Sequence, residues 1–134
     1  MRRIEIITRE STELVDITSK VEEIVRNEGV TSGICVVFTK HTTTGLIINE
    51  NEAGLRADII AMLNELVPKG KGYMHDRIDN NAHSHLRAML LGSSLCIPID
   101  QAKLMLGRWQ SILFVECDGP RKREVYVKVI PHLI

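Results

Sequence analysis

The chain of 134 residues has few aromatics: one Trp, two Tyr and two Phe. That is too few for a platform on which single-stranded bases stack. It has no net charge, with 17 Lys plus Arg against 17 Asp plus Glu. A balanced field gives no footprint for nucleic acid or an anionic membrane, so neither is an expected partner. No apolar run reaches the roughly 18 residues that span a bilayer. "MRRIEIITRE" has two arginines but no unbroken apolar segment behind them. It does not read as a signal peptide, and the expected location is cytoplasmic. The three cysteines, Cys35, Cys96 and Cys117, form no CxxC pair. Each lies in an apolar, strand-like run, which predicts three buried free thiols rather than a disulfide or a zinc knot.

What is present fits one domain over residues 1–134, long enough for a real core. "RRIEIIT" alternates at period two and predicts a strand. "SKVEEIVRNEG" places Ser19 three residues before Glu22, a capping-box spacing, with Val21, Ile24 and Val25 as an apolar stripe and Gly29 as a stop. "GICVVFT" and "LIINE" read as strands around the turn "HTTTG". From Glu52 to about Val67, residues Leu55, Ile59, Met62, Leu63 and Leu66 make one helical face, with Asn51 as its cap. "YMHDRIDNN" reads as a polar loop. Asn80 or Asn81 caps a further helix that stops at Gly92, with Leu86, Met89 and Leu90 as its apolar residues. "SLCIPI", "KLML", "SILFVEC" and "EVYVKVI" complete the strands, the last two joined by the turn "CDGPRKR". Strands at both ends and helices grouped mid-chain predict an α+β fold.

The candidate chemistry sits in the polar knots. In "NAHSHLRAML", His83 and His85 are two apart, about 200° around a helix, so they do not face one ligand. His83, near the helix N-terminus, suits an anion. A zinc site with an open position, built from His41, His85 and either His75 or His83, is one arrangement these residues allow. "HTTTG" offers the hydroxyls of Thr42, Thr43 and Thr44 to a phosphate oxygen. "ECDGPRKR" presents Glu116 and Asp118, then Arg121, Lys122 and Arg123. The only Trp, Trp109, lies beside Arg108.

The segments "HTTTGLIINENE", "NAHSHLRAMLLGSS" and "LGRWQSILFVECDGPRKR", in this order and spacing, resemble the YjbQ family, also described as secondary thiamine-phosphate synthase enzymes. The likeness runs from about Ile4 to Ile130. The family signature is followed from Ser94 through Ile97 and Ile99 to Gly107, Trp109 and Gln110. Two departures are Ala102 in place of the usual Gly and Arg108 in place of Thr. The resemblance implies a YjbQ-like domain with a two-sheet, β-sandwich-like body, assembled as a homotrimer. It implies a site for a small phosphorylated metabolite, and a possible activity: joining hydroxymethylpyrimidine diphosphate to thiazole phosphate. On that reading His41, His85 and Glu116 are catalytic. Thr42, Thr43, Thr44, Asn49, Asn81, Arg87, Trp109 and Arg121 bind substrate. His41, His85, His83 and His75 hold a divalent metal, zinc by the nature of the ligands or magnesium for the synthase. The alternative is a zinc- and anion-binding protein or a zinc-dependent hydrolase.

Overall fold

The computed structural model describes residues 1–133. Strands β1 (Arg2–Ile7), β8 (Lys122–Pro131), β3 (Gly33–Phe38), β5 (Ser94–Asp100) and β6 (Lys103–Leu104) form one antiparallel sheet in that order. Strands β2 (Glu13–Asp16), β7 (Ser111–Glu116) and β4 (Thr44–Asn49) form a second. Helices α1 (Thr18–Glu28), α2 (Ala53–Leu66), α3 (Asp76–Asp79) and α4 (Ala82–Leu91) complete the α+β fold. Strand β2 and the one-turn α3 go beyond the sequence expectation. "ELVD" is too short to show a period.

The small sheet is the middle layer. One of its faces, with Leu46, Ile112 and Phe114, packs on Ile4, Ile6, Val37, Ile97 and Val127 of the large sheet and on Val21 and Val25 of α1. Its other face, with Leu14, Leu113 and Val115, packs on Ile59 and Leu63 of α2, with Leu91 of α4 at the edge. Strand β7 is therefore covered on both sides, which is why "ILFV" is apolar without alternation. Each such buried side chain contributes about 1.5–3 kcal/mol of transfer free energy. Helix α4 lies so close to β4 that a Cβ at Gly45 would collide with Leu91.

Local expectations shift in three places. Helix α1 has no Ser19 capping box. Asp16 Oδ1 instead accepts from Thr18 N and Thr18 Oγ1, at 2.9 and 2.6 Å. The cap of α2 is Glu52, not Asn51, and its carboxylate accepts from Gly54 N and Leu55 N, which holds its pKa below the ordinary value. Cys96 is exposed, not buried, because the period-two pattern of β5 turns Ile97 and Ile99 inward and Cys96 outward. Cys35 and Cys117 are buried as expected, and burial pushes their thiols up to about 11 and about 12.

Candidate functional site

Glu116 shares the inward face of β7 with Ile112 and Phe114, and it is fully buried. Arg123 of β8 donates Nε–H to Oε1 and Nη2–H to Oε2, at 2.8 and 2.6 Å. Thr8 Oγ1 donates to Oε1 at 2.8 Å, and Asp118 N donates to Oε2 at 2.9 Å. Burial works to raise the Glu116 pKa, but the Arg123, Asp118 and Thr8 hydrogen bonds outweigh it and hold the carboxyl below its ordinary value. Both oxygens are occupied and no lone pair faces solvent. Glu116, expected as a catalytic carboxylate, has both oxygens committed within the fold. It fixes Asp118 on one side, and through Arg123 Nη2, which also donates to Thr43 Oγ1 at 2.8 Å, it fixes the "HTTT" turn on the other.

The threonines correct the phosphate expectation in the same way. Thr43 is held by Arg123, and Thr44 shares a 3.0 Å hydroxyl pair with Thr39. Both are buried, leaving Thr42 the exposed one of the three. His41 Nε2 accepts from Glu124 N at 3.0 Å. A neutral imidazole that accepts at Nε2 carries its proton at Nδ1, so it has no lone pair left for a metal. Burial, then Arg123, lowers its pKa, against the pull of Glu116 and Glu124. Asn49 is exposed and spends its Oδ1 on Glu50 N.

Helix α4 separates its two histidines, as the 200° argument predicts. His85 turns toward His75, with ring centroids 4.7 Å apart and planes at 89°. Both line an apolar cleft with Tyr73, Met74, Ala82 and Leu86. His83 is 8% exposed and lines a different, polar cavity of about 310 Å³. The expected aim of His85 at His41 therefore has no counterpart within one chain. Among the described residues no group of three or more His, Cys, Asp and Glu side chains is placed to hold a metal. One chain does not fit the three-His zinc set. His41 has spent its lone pair, and His83 lies apart from the His75–His85 pair.

The polar cavity lies among α4, the end of α2 and the turn after β7. Thr12, Asn64, Lys69, Asn81, Arg87 and Asp118 contribute to its wall. Arg87 is 3% exposed. It donates Nε–H to Val67 O at 3.0 Å, Nη2–H to Asn64 Oδ1 at 3.0 Å and Nη1–H to Thr12 Oγ1 at 3.5 Å. Those acceptors are all neutral. Among the described residues Arg87 makes no ion pair. Burial pushes its pKa down accordingly. Asp118 accepts from Asn81 Nδ2 at 2.9 Å and from Arg121 Nη2 at 3.1 Å, which joins the "DGPR" turn to the start of α4. Trp109 does not line this cavity; it is 65% exposed, with Arg108 5.0 Å over its ring. Lys69, Asn64 and Thr12 escaped the sequence reading because the fold alone brings them to Arg87. Ser84 did too: its hydroxyl donates to Cys117 O.

A two-sheet antiparallel body with α2 and α4 on its small sheet, and a polar cavity under α4, defines the class of domain. The sequence pattern of the UPF0047 protein YjbQ-like family matches residues 2–132, and the chain belongs to that family. A UPF0047 protein of Archaeoglobus fulgidus is 51% identical over 123 residues, 92% of this chain and 95% of its own. A YbjQ-like protein of unknown function from Sulfolobus solfataricus superimposes with a TM-score of 0.96 at 40% identity, over 98% of this chain and 96% of that one. A YjbQ/UPF0047 protein of Clostridium acetobutylicum gives 0.94 at 42% identity, over 97% of this chain and all of its own. Among the described residues, no helix is long and apolar enough to cross a membrane.

Proposed function

We propose that the polar cavity under α4 binds a small phosphorylated metabolite. The observation that carries this reading is Arg87: a buried guanidinium with three neutral acceptors, no carboxylate partner among the described residues and two N–H groups left over. An unpaired buried cation is costly, and an anion in the cavity supplies the missing charge. Lys69 adds a second cation at the wall, which the carboxylates of Asp79 and Asp118 also line, and both cations bear on His83. Phosphate esters should raise the thermal midpoint by mass action, while the matching neutral alcohols should not. Equal shifts from ester and alcohol would remove the reading.

The synthase activity implied by family likeness is the catalytic form of this proposal, with Arg87 and Lys69 holding the departing pyrophosphate. Formation of thiamine phosphate from its two precursors, with and without Arg87→Met, tests it directly. A second reading is a zinc site that starts from His75 and His85, which their close rings favour. Its third ligand would come from another subunit. Near-stoichiometric zinc in protein purified without added metal, lost in His85→Ala, is the result this second reading requires.

We also propose a homotrimer. The outer face of the large sheet leaves Ile34, Phe38 and Ile130 each more than a third exposed, and Ile34 pairs with Ile130 in register. Burying such a strip against another subunit is favourable. Light scattering should give three times the 15.1 kDa chain mass.

A further inference from the structure

Two acceptors in the wall of the polar cavity have no partner among the described residues: Asn81 Oδ1 and His83 Nδ1. Their identities follow from their neighbours. Asp118 is a carboxylate and only accepts, so the Asn81 amide must turn Nδ2 toward it and Oδ1 away. Ser84 Oγ gives its proton to Cys117 O, so it meets His83 Nε2, 3.4 Å away, with a lone pair. His83 therefore carries its proton on Nε2 and has its lone pair at Nδ1. The ring stays neutral: burial, then Arg87 and Lys69, lowers its pKa against the opposing pull of Asp118 and Asp76.

Both residues are at least nine-tenths buried, and each orphan atom exposes less than 1 Å². Bulk water does not satisfy them. Buried acceptors in native proteins are almost always paired with protein or ordered water, so two such acceptors beside an unpaired guanidinium point to a ligand that brings donors. An anion alone answers Arg87 but not these two atoms, because a bare anion has no proton to give.

We infer that the ligand of this cavity carries a hydroxyl or amine donor as well as its anionic group, and that Asn81 and His83 select for that donor. This rests on the phosphorylated-metabolite reading above and names the class within it: hydroxylated or aminated phosphate esters rather than simple alkyl phosphates. Neither atom is open to water as the side chains stand, so both side chains must turn toward the cavity when the ligand binds. A site built around a buried acceptor rejects the analogue that lacks the donor far more strongly than it rejects a change of shape.

The test is calorimetric titration of the whole protein at pH 8 with three probes: sulfate, propyl phosphate and glycerol 3-phosphate. Sulfate carries no proton and reports the anion site alone. The two esters share a three-carbon chain and differ in their hydroxyls. Glycerol 3-phosphate should bind the wild type at least about tenfold more tightly than propyl phosphate. In His83→Phe the ratio should fall to within about twofold, with sulfate affinity unchanged. Equal affinity of the two esters for the wild type, with sulfate still bound, would overturn the donor inference and leave the anion site standing. A structural water on the orphan pair would give that result. Failure of all three probes to bind would overturn the anion reading and this inference with it.

Discussion

Helix α1 buries Val21 and Val25 and turns its charges to water, whereas α4 buries His83, Ser84 and Arg87 among Ala82 and Ala88 and leaves Met89 and Leu90 71% and 59% exposed. The first is the ordinary pattern of a surface helix on a core. The second partly inverts it. A helix that seats polar groups against the body gives up hydrophobic stabilisation there, and such local conflicts are expected where a site is built. On the outer side of α4, Met89 and Leu90 line only an open cleft with Leu66, Lys71 and Tyr73. Scaffold and site are thus distinguishable by which side of the helix is wet.

The largest effect should come from the ion pair that holds the site's framework. Arg123→Leu leaves Glu116 buried and uncompensated and should cost about 3–5 kcal/mol in denaturant unfolding. The folded pKa of Glu116 is depressed, so the unfolded chain takes up its proton first. The contribution of this pair is complete above the ordinary value of 4.5 and is lost as pH falls through the lower folded value. Next comes the scaffold helix: Val21→Ala should cost about 2 kcal/mol. On the inverted helix, Arg87→Met should move stability by no more than about 1 kcal/mol, because it removes an unpaired buried charge along with its hydrogen bonds. A larger loss from Arg87→Met than from Val21→Ala would erase the distinction between the two helices.

Smaller effects sharpen the same contrast. His83 and His41 both have pKa values below the ordinary 6.5, for which burial is the leading cause. The unfolded chain therefore binds their protons first, and stability should decline as pH drops below about 6.5, an effect that His83→Phe should reduce. Ala102 holds a left-handed φ of 62°, the conformation that suits the Gly expected there from family likeness. Ala102→Gly should change stability by less than about 1 kcal/mol, in the stabilising direction. Cys35 and Cys117, with pKa values near 11 and 12, should react with a thiol reagent only on unfolding.

The strands other than β2 were legible because period two survives in "RIEII" and "LCIPI", and because β7 advertises its double burial as a continuous apolar run. The extent of α4 was legible from Asn81 and Gly92, and so was the parting of His83 from His85. Which side of α4 is buried was not: Leu86, Met89 and Leu90 signal a helix, and no local signal says that Arg87 takes its inner side. The same limit hid the surroundings of Glu116. A carboxylate at a strand end looks available until the fold brings Arg123, Thr8 and the Asp118 N–H to it. Pairings across 108 residues, as between Thr8 and Glu116, are written in no short stretch.

The central claim is that the buried face of α4 is an anion site organised by Arg87. Its most direct test is calorimetric titration of wild type and Arg87→Met with inorganic phosphate at constant ionic strength. Saturable one-to-one binding in the wild type, weakened by at least about tenfold in Arg87→Met while Val21→Ala still binds normally, is the predicted result. Equal phosphate affinity in wild type and Arg87→Met would contradict it.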